Sequence, residues 1–238
     1  MKITYFEDAE GMSKHAATIF LQQLQQKKDL LVCAATGGSP TGLYAQLAAA
    51  YADDAALFEH LRILKLDEWG GIPMTDPNSC HAYLQAHLLA PLQVAADRYL
   101  AFNSEVADPL AECNRLQKEL DRQGPIDCCI LGLGKNGHLG FNEPAEFLQP
   151  DCHIAQLLPT TLQHNMAQSM SQRPTFGMTV GMRSILQSKK IILLISGKGK
   201  QTIIKKLLTQ LVSTQLPASM LWLHGDVECL IDRGSVMG

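Results

Sequence analysis

Ile130-Leu-Gly-Leu-Gly-Lys-Asn-Gly-His-Leu-Gly-Phe-Asn-Glu-Pro144 is the stretch on which the reading of this chain turns. The apolar run Cys128 to Leu131 leads into it and reads as a buried strand. The strand then breaks into Gly132, Gly134, Gly137 and Gly140, a glycine density that lets a backbone take positive φ and approach a ligand closely. Asn136, His138, Asn142 and Glu143 are set among these glycines. A lone His or Glu in a tight loop would be read as solvated. A histidine flanked by an amide and a carboxylate, on a glycine turn at the C-terminal end of a strand, is where an α/β enzyme keeps its chemistry.

Outward from this loop, strand and helix patterns alternate. Lys2 to Phe6 reads as a strand, and Asp8 as the cap of a helix to about Gln26, with Met12, Ala16, Ile19, Phe20 and Leu24 on one face. Leu30 to Ala34 is apolar throughout, as a central parallel strand would be, and a helix from Thr41 to about Ala52 follows. Leu61 to Leu66 reads as strand and Asp67 to Gly71 as its loop; Ser79 caps a helix to about Leu89. A weak strand at Tyr99 to Phe102 precedes a helix over Pro109 to Gln123, which Gly124-Pro125 stops. Beyond Pro144 the pattern gives strands at His153–Leu158, Phe176–Val180 and Lys190–Ser196, with helices over Thr160–Met170 and Met182–Gln187. A helix after Gly199 to about Leu211 and strand candidates at Met220–Leu223 and Cys229–Ile231 complete it. The alternation predicts an α/β fold, a doubly wound, mostly parallel Rossmann-like sheet with helices on both faces, in a single domain over 1–238.

Composition narrows the function classes. A net charge of −3 gives no electrostatic reason to expect nucleic acid or an anionic membrane as partner. No apolar run approaches a membrane span, and the opening residues enter a strand pattern rather than a signal peptide. Seven cysteines, an odd number with none in C-x-x-C spacing, suit reduced thiols in the cytoplasm rather than a disulfide frame or zinc site.

Four polar loops follow strand ends, and in an open α/β sheet such loops converge on one edge. Thr36-Gly37-Gly38-Ser39, before a helix, has the free N–H groups, glycines and hydroxyls of an anion cradle, although no G-K-[S/T] follows to make it a Walker loop. Lys200 opens a helix, where a cation is unfavourable unless an anion is near. The adjacent carboxylates Asp67 and Glu68 can supply a general base and an orienting group. The remaining histidines show no metal-ligand spacing.

Taken together, T-G-G-S-P-T (36–41), L-D-E-W (66–69), G-L-G-K-N-G-H-L-G-F-N-E-P (132–144), T-V-G (179–181), S-G-K-G-K (196–200) and P-A-S-M-L-W-L-H (217–224) resemble the glucosamine-6-phosphate deaminase/isomerase family. That family shares its fold with the 6-phosphogluconolactonases. Asn142-Glu143-Pro144 favours the deaminases, and K-L-D-E-W with L-Q-P-x-C-H-I looks most like the galactosamine-6-phosphate branch of amino-sugar catabolism. The resemblance implies a deaminating aldose–ketose isomerisation of a 2-amino-2-deoxyhexose 6-phosphate, a hydrolytic loss of ammonia without metal or organic cofactor. It implies phosphate on Thr36, Gly37, Gly38, Ser39 and Lys200, ring opening by His138, proton transfer from C2 to C1 by Asp67, and orientation of His138 by Glu143 and Asn136.

The chain departs from the family pattern in places. Many members carry Asp at the position of Asn136, and an amide supplies no charge to favour an imidazolium. Many also carry a phosphate-binding Arg where this chain reads Gln163-His164-Asn165-Met166, which leaves His164, Arg173 and Arg183 as candidate substitutes. The allosteric effector residues of hexameric members are not evident, so a monomer or low-order homo-oligomer is expected. Trp69 is a candidate for discriminating the C4 epimers, because an indole N–H donates but cannot accept. The alternatives are glucosamine 6-phosphate as substrate, giving fructose 6-phosphate, then a 6-phosphogluconolactonase, then a non-catalytic sugar-phosphate sensor.

Overall fold

The computed structural model describes residues 1–163 and 165–237. Its strands are β1 (Lys2–Phe6), β2 (Leu31–Ala34), β3 (Arg62–Lys65), β4 (Asp67–Trp69), β5 (Tyr99–Leu100), β6 (Cys128–Gly132), β7 (His153–Ala155), β8 (Gly177–Thr179), β9 (Lys190–Ile195) and β10 (Val227–Asp232). Its α-helices are α1 (Ala9–Gln26), α2 (Gly38–Asp53), α3 (Cys80–Leu84), α4 (Pro109–Gln123), α5 (Pro159–Leu162), α6 (Asn165–Ser169), α7 (Met182–Leu186), α8 (Gln201–Leu207) and α9 (Gly234–Met237). Among the described residues, none is long and apolar enough to cross a membrane.

Seven strands form a parallel sheet in the order β1-β10-β9-β6-β2-β3-β5. The central strands are apolar on both faces because both faces are covered. Alternation divides them between two cores: Leu31, Cys33, Cys129, Leu131, Ile191 and Leu193 face one way, and Val32, Ala34, Cys128, Ile130, Ile192 and Leu194 the other. On the first face α4 contributes Leu116 and Leu120, and α8 contributes Ile203 and Leu207. On the second, α1 brings Met12, Ala16, Phe20 and Leu24, and α2 brings Leu43 and Leu47. Each such Leu, Ile, Phe or Met side chain, fully buried, is worth about 1.5–3 kcal/mol.

The helices begin where their caps dictate. Asp8 accepts from Gly11 N at 2.7 Å to start α1, and Asp108 accepts from Ala111 N at 3.0 Å to start α4. The start of α2 lies at Gly38, three residues ahead of the expected Thr41. Gly37 takes φ 96°, open to glycine alone without strain, and Pro40 then fits the first helical turn, where no N–H is required.

A second, antiparallel sheet, β4-β8-β7, was not anticipated. Asp67 to Trp69 is a strand here rather than a loop, because its backbone pairs with Gly177–Thr179. Leu66 is the hand-over: its N–H still bonds Ala34 O at 3.2 Å beside the large sheet, while its C=O accepts from Val180 N at 2.9 Å beside the small one. Other expectations are corrected nearby. The predicted helix over 160–170 is two short helices, α5 and α6, and α8 ends at Leu207 rather than Leu211. Met220–Leu223 is not a strand but part of a 3-10 helix begun by Pro217.

Candidate active site

The loops expected to meet do so because β9, β6, β2 and β3 are consecutive neighbours in the sheet. Their C-terminal ends surround a cavity of about 540 Å³ lined by Thr36 to Ser39, Asp67, Trp69, Gly134 to Asn136, His138, Phe141 and Lys200, among others. Thr160, Thr161, Gln163 and Met166 close it from the α5–α6 side.

The glycine loop is shaped by its neighbours. Gly137 N bonds Gly134 O at 3.0 Å and Gly134 N bonds His138 O at 3.1 Å, which closes a tight turn. A Cβ on Gly134 would stand 2.4 Å from His138 Cδ2 and Nε2, so the imidazole packs directly on bare backbone. Asn142 Nδ2 donates to Leu139 O at 2.8 Å and to Val180 O at 2.9 Å, and Phe141 N donates to Thr179 Oγ1 at 3.1 Å. Asn142 therefore straps the loop to the small sheet.

His138 is held through one nitrogen. Its Nδ1 faces Glu143 Oε2 and Thr161 Oγ1, each at 3.3 Å. Thr161 donates its hydroxyl hydrogen to Glu143 Oε1, so it meets Nδ1 as an acceptor, and an ionised Glu143 can only accept. Nδ1 therefore carries the hydrogen, which leaves the Nε2 lone pair free for acid–base work. Asn136 supports the group twice: Nδ2 donates to Glu143 Oε2 at 2.8 Å, and Oδ1 accepts from His138 N at 3.1 Å. Burial alone would raise the Glu143 carboxyl, but hydrogen bonds from His138, Thr161 and Asn136 outweigh it and lower the pKa.

The two neighbouring carboxylates of β4 have opposite environments, as alternation on a strand requires. Glu68 is fully buried and accepts from Lys65 Nζ and from the N–H groups of Trp69, Cys80 and His81, the last three at 2.9 Å each. It ties β4 to the start of α3 and lies outside the cavity lining. Asp67 is 7% exposed, lines the cavity, and its Oδ1 has no hydrogen-bond partner among the described residues. Burial, then the charge of Glu68, pushes its carboxyl up to about 7, against the opposing pull of His138, Lys65 and a hydrogen bond with the Cys80 thiol. Asp127 makes the contrast plain: it is as buried, yet Lys27 at 2.6 Å, Lys189 at 2.8 Å and Leu31 N at 2.9 Å bring its pKa down despite desolvation. A buried carboxylate with no cation bonded to it and one oxygen unpartnered at a cavity wall is set up to hold a proton near neutral pH.

At the other end of the cavity Gly37 caps α2 without a side-chain hydrogen bond, so the first N–H groups of a sixteen-residue helix are open. Ser39 Oγ accepts from Lys200 Nζ at 3.4 Å and lies 3.2 Å from Ser196 Oγ. Burial first, and then Lys135, lower the Lys200 ammonium to about 8. Neither Arg173 nor Arg183 lines the cavity; Arg183 pairs with Asp151. His164 lies outside the described residues. Trp69 is 3% exposed, its ring 4.6 Å from that of Phe141, and its Nε1 has no partner among the described residues. Thr161 was not anticipated, since nothing in Pro159-Thr160-Thr161-Leu162 signals a contact with a loop twenty residues earlier.

Residues 7–230 match the family described as glucosamine-6-phosphate isomerases/6-phosphogluconolactonase. The chain belongs to this family. A protein of Escherichia coli strain K12 given a deaminase's name, AgaI, is 40% identical over 226 residues, 95% of this chain and 90% of that protein. Glucosamine-6-phosphate deaminase 1 of Bacillus subtilis strain 168 is 37% identical over 235 residues, 98% of this chain and 97% of its own. A solved structure of a monomeric glucosamine-6-phosphate deaminase superposes with a TM-score of 0.93 at 37% identity, covering 98% of each chain. A Trypanosoma brucei 6-phosphogluconolactonase, at 18% identity and a TM-score of 0.77, shares the fold. As a member of this enzyme family, the chain carries its candidate site where the large sheet hands over to the small one.

Proposed function

We propose that the chain is an amino-sugar-6-phosphate deaminase/isomerase, acting on galactosamine 6-phosphate to give tagatose 6-phosphate and ammonia. The observation that carries the reading is the pairing of two groups in one cavity: Asp67, buried with its Oδ1 unpartnered, and His138, with Nδ1 engaged and Nε2 free. The substrate's phosphate sits at the open start of α2 against Ser39 and Lys200. His138 Nε2, with its lone pair free, takes the proton of the C1 hydroxyl and passes it to the ring oxygen, which opens the ring to the aldehyde. Asp67 removes the C2 proton as the C1 oxygen takes one from the substrate's own 2-ammonium group, forming an enolamine with a neutral amine. Asp67 then returns the proton to C1, leaving an iminium at C2. Water adds to C2, ammonia departs, and the ketose 6-phosphate remains. Each step moves a proton or adds water, so no metal or organic cofactor is required.

The relatives support a deaminase over a lactonase, since the two deaminase relatives above are 40% and 37% identical while the lactonase structure shares 18%. Preference for the galacto epimer rests on the L-D-E-W and C-H-I resemblance and on Trp69, whose unpaired indole donor suits a sugar hydroxyl. The chain works as a single domain, a cytoplasmic monomer or low-order oligomer. Ammonia release from the two epimers tests this: kcat/KM is expected to favour galactosamine 6-phosphate. A ratio favouring glucosamine 6-phosphate would reverse the epimer assignment, and hydrolysis of 6-phosphogluconolactone with no ammonia from either epimer would replace the reaction.

A further inference from the structure

Lys135, in the middle of the glycine loop, has no role in the chemistry above, yet it lines the same cavity as Lys198 and Lys200. No ion pair to any of these three lysines occurs among the described residues. Elsewhere in the molecule half-buried lysines find carboxylates: Lys27 reaches Asp127 at 2.6 Å, and Lys190 reaches Asp226 at 2.7 Å. Lysines gathered at one cavity beside an uncapped helix start lack a counter-charge that the protein does not supply. The Lys135 stem lies beside the Gly197–Lys200 turn, its Cε 3.9 Å from the place a Cβ on Gly199 would take. That brings its ammonium close enough to Lys200 to help lower the Lys200 pKa to about 8.

We infer that Lys135 is a second phosphate-binding cation, closing over the sugar phosphate from the glycine loop while Lys200 meets it from the start of α8. The inference rests on the phosphate placement proposed above and names the residue that supplies the cationic contact in place of an arginine. Two ammonium groups and the helix start match a phosphomonoester dianion, and a phosphate between them turns their mutual repulsion into attraction to a shared anion. Lys135 lies three residues before His138 on the Gly134–Gly137 turn, so a phosphate held by Lys135 also settles the turn that carries the imidazole.

Isothermal titration of inorganic phosphate and of a hexitol 6-phosphate into the wild-type chain, Lys135→Gln, Lys135→Arg and Lys200→Gln tests this without requiring turnover. Lys135→Gln is expected to weaken both ligands by about tenfold, the scale of one lost charge-assisted contact, and Lys135→Arg to retain most of the affinity. Wild-type affinity in Lys135→Gln together with a loss in Lys200→Gln would overturn the role of Lys135 and leave the phosphate placement standing. Wild-type affinity in both would overturn the phosphate placement itself. Lys135 is exposed and outside both cores, so the two Lys135 variants are expected to melt with the wild type.

Discussion

Asp67 and Glu68 differ by one position and by everything that surrounds them. One strand step turns Glu68 towards Lys65 and the start of α3, where its oxygens are engaged, and turns Asp67 towards the cavity. The consequence is a pH dependence. In the proposed mechanism Asp67 acts as a base only when ionised, so kcat/KM is expected to rise with pH through about 7, and Lys200 holds phosphate only when charged, so kcat/KM is expected to fall above about 8. Lys200→Arg, with a group that stays protonated, is expected to keep activity at high pH that the wild type loses. An alkaline limb unmoved in that variant would assign the limb elsewhere. His138→Gln removes the free Nε2 and is expected to lower kcat by roughly 10²-fold or more, with phosphate affinity retained; near-wild-type turnover would take His138 out of the mechanism. None of this asymmetry was readable from Asp67-Glu68-Trp69 alone. Two adjacent carboxylates look alike until the strand's pairing decides which one faces inward.

Elements were legible where their signals are local. β2, β6 and β9 announce themselves as apolar runs because a parallel strand is covered on both faces, and α4 is bounded by Asp108-Pro109 and Gly124-Pro125. β4 was not legible. Its three residues become a strand only through long-range pairing with Gly177–Thr179, and short polar segments carry no periodicity to reveal such a partner. That small sheet is also what holds the glycine loop. Gly140 takes φ +57°, and a Cβ there would stand 2.7 Å from Thr179 Oγ1. Gly140→Ala is therefore expected to cost about 1–3 kcal/mol, from backbone strain and a displaced Thr179, and to lower Tm by a few degrees. An unchanged melting temperature would mean that the loop does not depend on this contact.

At the scale of the whole molecule, the site exists because four neighbouring strands end on one edge and a second sheet seals part of it. The order β9-β6-β2-β3 puts Lys200 and the start of α2, the His138 imidazole and the Asp67 carboxylate around one cavity, although they lie far apart in the chain. The four loops could be expected to converge, since alternation of strand and helix implies a parallel sheet. What could not be read was the wall given by α5 and α6: Thr161, which sets the tautomer of His138, reaches it only through tertiary packing. The central claim is that Asp67 carries the C2 proton to C1, and turnover in deuterium oxide measures it. With galactosamine 6-phosphate, the wild-type chain is expected to release ammonia and exchange solvent deuterium into C2 of recovered substrate and C1 of the ketose product. Asp67→Asn is expected to do neither while still binding the sugar phosphate. Deuterium incorporation at wild-type rates by Asp67→Asn would contradict the account and give the base to another residue.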